Sequence, residues 1–106
     1  MSGSSRGYVP TYSSDYECDK GTIVTNLASP DYTVLAQHNV GEILTISILS
    51  NNIVVENNNG EILGSVIHEH TEKLKECIAQ GNIYSAKIIQ LNDYTCKVKI
   101  YNSGNE

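Results

Sequence analysis

The chain has no tryptophan and no phenylalanine, and its aromatic side chains are seven tyrosines. An interior without those two rings has to be assembled mainly from Ile, Leu, Val and Ala, which favours short strands and a thin core. Long apolar runs are missing too: no stretch approaches the ~18 to 20 consecutive apolar residues of a membrane-spanning helix. The opening MSGSSRGY lacks the apolar centre of a signal peptide, so the default expectation is a cytoplasmic location with no membrane partner. Positive charge is scarce, with 7 Lys and Arg against 12 Asp and Glu for a net charge of -5. That balance argues against a whole-surface grip on nucleic acid and leaves room only for a local basic patch. The three cysteines, Cys18, Cys77 and Cys96, are too few and too irregularly spaced for a disulfide framework, and none forms a CxxC pair.

Signatures of catalysis are equally scarce. There is no Gly-x-Ser-x-Gly elbow and no phosphate-binding glycine loop, and Glu42, Glu56 and Glu61 fall at strand ends or beside turns, where solvated acids are normal. The sequence therefore predicts no catalytic residue and no cofactor. The segment IHEHTEKLKECIAQG, residues 67–81, opens like a metal site. However, the zinc signature needs His at i and i+4 with Glu between, and position 72 is glutamate. Helical spacing explains the same residues: Ile67, His70, Leu74, Cys77 and Ile78 follow steps of three and four. Glu69 and Glu72 suit the first turns, Glu69 precedes Lys73 by four, and Gly81 suits the C-terminal cap. No metal ligand set is assigned.

With 106 residues, the chain has room for one core. Residues 1–20 are rich in Ser, Gly and Tyr and contain no run able to bury a face, which predicts a flexible or partner-docking tail. Tyr8, Tyr12 and Tyr16 recur every four residues and can insert into grooves of a neighbouring surface, and Cys18 reads as an exposed thiol or an intermolecular bridge. Cys77 and Cys96 read as small buried hydrophobes on a helix and a strand. Residues 21–102 then form a single barrel-like domain, with 103–106 as a C-terminal tail. Strands are predicted over 22–27, 42–49 and 53–57, in EILGSV, and in IYSAKIIQL and YTCKVKIY. Turns fall at Ser50, Asn51 and Asn52, at Asn59 and Gly60, and at Asn92 and Asp93. A short helix over about 30–37 takes Ser29 as N-cap and Pro30 as its first residue, and an amphipathic helix covers about 68–80. The predicted fold is mainly β within the α+β class, a small antiparallel barrel or curved sheet of about six strands.

In the last hairpin Cys96, Val98 and Ile100 alternate with Lys97 and Lys99, so one side faces the core and the other water. Keeping Lys87 of the partner strand outward requires it to stand opposite or diagonal to Lys97 or Lys99. With Tyr84 and Tyr101 nearby, these lysines form a candidate face for an anion or single-stranded nucleic acid, while lysines also keep a hairpin soluble and discourage edge pairing.

From residue 40 to 100 the order of elements, in VGEILTISI, IVVENNNGEILGSVI and LKECIAQGNIYSAKI, resembles the HIRAN family. Gly64 matches the family's glycine before the helix, and Leu74, Ile78, Gly81 and Ala86 match the helix and following strand. The resemblance implies a small barrel of the kind that, attached to helicase-like ATPases, binds single-stranded DNA ends. The family's asparagine, tyrosine and aspartate segment between the early strands is here only LSNNIVV, so no binding residue carries over. The expectation is a non-catalytic interaction or self-assembly module, partnered by another protein or a second copy, with HIRAN-like nucleic-acid binding as the alternative.

Overall fold

The computed structural model describes residues 17–105. Six strands form one antiparallel sheet: β1 (Ile23–Asn26), β2 (Ile43–Leu49), β3 (Asn52–Glu56), β4 (Ile62–Val66), β5 (Asn82–Leu91) and β6 (Cys96–Asn105). Their spatial order is β1-β6-β5-β2-β3-β4. Two helices complete the described part, α1 (Tyr32–Leu35) and α2 (Thr71–Ala79). The mainly β, curled-sheet expectation holds, and the last strand continues to Asn105. Register shifts in the β5/β6 pair, between Ile83 and Tyr84 and between Ile88 and Gln90, mark the irregularities that add local twist.

Curling brings the two sheet edges together. Just beyond β1, Ala28 and Ser65 of β4 exchange both backbone hydrogen bonds, at 2.8 and 2.9 Å. Gly64 permits this approach, because a Cβ there would lie 2.9 Å from Leu27 Cβ and 3.0 Å from the Ala28 carbonyl oxygen. The concave side holds the core, with Ile23, Leu35, Ile53, Leu63, Ile88 and Ile100 among its most buried residues.

The turns follow local chemistry. Ser50 and Asn51 both adopt positive φ, 51° and 67°, as a two-residue hairpin requires, and Gly60 sits at 81° in the next turn. Asn92 Oδ1 accepts from the backbone N–H groups of Tyr94 and Thr95, closing the β5–β6 hairpin where Asn92 and Asp93 predicted it.

Both helices start later than predicted. Asp31, not Ser29, caps α1, its Oδ1 accepting from Thr33 N–H at 3.0 Å and Val34 N–H at 3.2 Å. Ala28 and Asp31 both donate their backbone N–H to β4 carbonyls, and Ser29 between them bends at a positive φ of 47°, so Pro30 lies outside the helix. Before α2, His68 Nδ1 accepts from His70 N–H, and the His68 carbonyl accepts from the Thr71 backbone N–H and side-chain hydroxyl. This turn uses residues expected in the first helical turn, and Ile67, expected on the apolar stripe, is 73% exposed. Leu74 and Cys77 do face the core, with Ile78 packed at its margin. Lys73 pairs with Glu76 rather than with Glu69, and Lys75 pairs with Glu72. Gly81, at φ 100°, follows the C-cap as expected.

A further correction concerns sulfur. Cys18 is bonded to Cys77, 59 positions away, so it is neither an exposed thiol nor an intermolecular bridge, and Cys77 is buried as half of a cross-link. Cys96 is buried and free, and burial pushes its thiol up to about 11.

Candidate functional site

The outer face of the sheet gathers the lysines that the sequence singled out. Lys87 on β5 stands directly opposite Lys99 on β6, as outward alternation of both strands demanded. The same cross-strand row continues to Ile43 of β2 on one side and Val24 of β1 on the other. These aliphatic ends are 58% and 50% exposed. At roughly 4.8 Å per strand spacing, the row is ~14 Å wide, apolar at its ends and cationic at its centre. Lys97 and Tyr101, two residues to either side of Lys99, lie on the same face and are half-buried. Ile89 projects from the β5 irregularity at 38% exposure.

Tyr84 does not belong to this face. It shares the inward side of β5 with Ala86 and Ile88, is 2% exposed, and donates its hydroxyl to the Cys18 carbonyl at 2.6 Å. The alternation that turned Lys87 outward turns a residue three positions earlier inward. Tyr8, Tyr12 and Tyr16 lie outside the described residues.

Charge pairing separates the lysines into two groups. Lys20, Lys73 and Lys75 each have a carboxylate oxygen within 3.9 Å, on Glu17, Glu76 and Glu72 respectively. Among the described residues no carboxylate pairs with Lys87, Lys97 or Lys99. In a chain of net charge -5, the three lysines without an acidic partner among the described residues share one sheet face.

A second cluster was not recognised in the sequence. His38, between α1 and β2, places Nδ1 2.6 Å from Glu42 Oε1 and Nε2 3.2 Å from the Asn57 side-chain amide. Asn57 Nδ2 also donates to Glu61 Oε1 at 2.9 Å, while its Oδ1 accepts from the backbone N–H groups of Asn59 and Glu61. His38, Glu42 and Asn57 line a cavity of about 500 Å³, and His38 also borders a neighbouring one of about 570 Å³ beside Tyr32 and Tyr94. An imidazole held by a carboxylate resembles a general-base pair, but the Asn57 amide occupies the second nitrogen and donates one hydrogen to it and one to Glu61. The arrangement ties the end of α1 to the β3–β4 turn. The hydrogen bond with His38 chiefly holds the Glu42 carboxyl below its ordinary 4.5, opposed by partial burial and reinforced by Asn39. His38 and Glu42 are four positions apart, but their meeting with Asn57 depends on tertiary contact.

The histidine pair in the loop before α2 has its rings 5.2 Å apart, and His70 lies 3.7 Å from Glu69. Among the described residues no group of three or more His, Cys, Asp or Glu is placed to hold a metal ion. No described helix is long and apolar enough to cross a membrane. No protein-family model matches the chain, and neither a curated protein nor a solved structure matches it.

Proposed function

We propose that this domain is a non-catalytic interaction module that docks an acidic protein partner on the outer face of β1, β6, β5 and β2. The observation supporting this reading is that Lys87, Lys97 and Lys99, which have no acidic partner among the described residues, lie on one face bracketed by exposed Val24 and Ile43. Two like charges placed opposite each other cost the isolated domain stability, and a partner's carboxylates would offset that cost. Aliphatic flanks add apolar contact area for a polypeptide. Docking of Tyr8, Tyr12 and Tyr16 on a neighbouring copy belongs to the same proposal and rests on their recurrence in the sequence.

Single-stranded nucleic acid is the second reading, favoured by Tyr101 beside Lys99 and by the HIRAN resemblance. Base stacking needs exposed aromatic platforms, and the burial of Tyr84 removes one candidate from this face. The acidic balance of the chain also repels a long polyanion.

Fluorescence anisotropy tests both readings with a glutamate-rich peptide carrying interspersed leucines and a labelled single-stranded oligonucleotide. The first reading predicts saturable binding of the peptide at low salt, lost in Lys87→Glu and Lys99→Glu, with weaker binding of the oligonucleotide. Tighter oligonucleotide binding, with the same loss in the variants, selects the second. Binding of neither probe, or binding indifferent to both substitutions, contradicts this assignment of the face.

A further inference from the structure

The Cys18–Cys77 bond lies beside the start of β5 and the end of β6, where the Cys18 carbonyl meets Tyr84 and Asn102. Residues 17–21 form one tight turn, in which Gly21 N–H and Lys20 N–H both donate to the Glu17 carbonyl. Beyond the disulfide, the Cys18 carbonyl is the principal polar anchor, accepting the Tyr84 hydroxyl at 2.6 Å and the Asn102 amide at 2.8 Å. Asn102 Nδ2 is itself oriented by Asn82 Oδ1 at 3.1 Å. We propose that this disulfide is a thiol-sensitive clamp, which holds residues 17–21 against the domain when oxidised and releases them, with the sheet intact, when reduced.

The connectivity separates the clamp from the fold. The backbone pairing of β1 with β6 begins at Ile23, after the turn, and the Ala28 bridge lies further along. Releasing the turn therefore removes no strand pairing. Among the described residues, without the sulfur bridge, two hydrogen bonds and the modest apolar contact of the Cys18 side chain with the core hold the turn to the domain. Segments with so few anchors open locally without global unfolding.

The sulfur chemistry has one accessible route. Cys77 is completely buried and Cys18 is partly exposed, so an incoming thiolate attacks Cys18 Sγ. A mixed disulfide forms on Cys18, and Cys77 leaves as a thiolate that takes up a proton. A second external thiol then attacks the mixed disulfide, leaving the Cys18 thiol and an oxidised dimer of the reagent. Two external thiols thus supply two electrons and two protons. Migration of the bond to the remaining cysteine is blocked, because Cys96 is wholly buried and its thiol stays protonated at neutral pH. The cysteines behave as one closed couple with an inert bystander.

The test uses the full chain, oxidised or treated with millimolar reduced glutathione, and follows cleavage after the exposed Lys20 by a lysine-specific protease alongside backbone amide NMR. Reduction should raise the cleavage rate by about tenfold or more, as expected for local opening. Amide signals of residues 17–21 should move to unstructured positions while those of β5 and β6 remain. Tyr84→Phe, which removes one of the two anchors, should accelerate cleavage further in the reduced protein and leave the oxidised protein protected. Resistance of the bond to glutathione, unchanged cleavage on reduction, or loss of the sheet signals together with the turn would each overturn the proposal.

Discussion

Lys87 and Lys99 face each other across the β5–β6 ladder, on the solvent side of the sheet. Like charges in that position destabilise a strand pair by roughly 0.2 to 1 kcal/mol, so the isolated domain is less stable than its sequence needs to be. Lys99→Glu should therefore raise unfolding stability in urea by a few tenths to ~1 kcal/mol at low salt, with the gain shrinking as salt rises. The same substitution should abolish binding of the acidic peptide. A gain in stability paired with a loss of binding is the expected signature of a face kept for a partner.

Closure of the sheet depends on the absence of a side chain at Gly64. Adding a methyl there meets Leu27 Cβ at 2.9 Å and a backbone carbonyl at 3.0 Å, and backbone yields poorly. Gly64→Ala should cost about 1 to 3 kcal/mol, as overpacking does. Gly104→Ala is the matched control, because its added Cβ meets nothing within 4 Å. Its effect in the same urea titration should stay within about 0.5 kcal/mol.

The cross-link closes a long loop. For a separation of 59 residues, loop-entropy reasoning assigns the Cys18–Cys77 bond about 4 kcal/mol, largely through the unfolded state. Reduction should lower the urea midpoint accordingly, and the Cys18→Ser variant, which cannot form the bond, should show no midpoint shift on adding reductant.

Asn57 satisfies two backbone donors of its own turn and two side chains from other positions. Asn57→Ala leaves those groups without partners in a largely buried place and should cost about 1 to 3 kcal/mol in thermal or chemical unfolding.

The Glu42 carboxyl, held below its ordinary 4.5 chiefly by the hydrogen bond with His38, makes stability depend on pH. A depressed folded-state value means a contribution fully present above the unfolded value. That contribution disappears as pH falls from about 4.5 through the lower folded value. Urea midpoints measured across this interval should fall more steeply in the wild type than in Glu42→Gln.

Much of the architecture was written locally. Alternation in the final hairpin set which side of β6 faced the core, and Asn92, Asn59 and Gly60 placed their turns. Tyr84 was equally legible, since it shares parity with Ala86 and Ile88, but grouping it with the lysines by proximity in sequence overrode that pattern. The helix starts were harder, because His68 and Asp31 offer side-chain acceptors that compete with helical hydrogen bonding. Long-range meetings left no local trace. Neither the pairing of Cys18 with Cys77 nor the joining of His38 and Glu42 to Asn57 has a spacing rule, because strand pairing and helix packing bring those residues together.

The most direct measurement is a backbone amide NMR titration of the full oxidised chain with the glutamate-rich peptide at low salt. The proposal predicts shift changes concentrated at Val24, Ile43, Lys87, Lys97 and Lys99, absent in the Lys87→Glu, Lys99→Glu double variant. Changes confined to α2 or to the His38 cavity, or no changes at all, would contradict the claim that this sheet face is where the domain meets its partner.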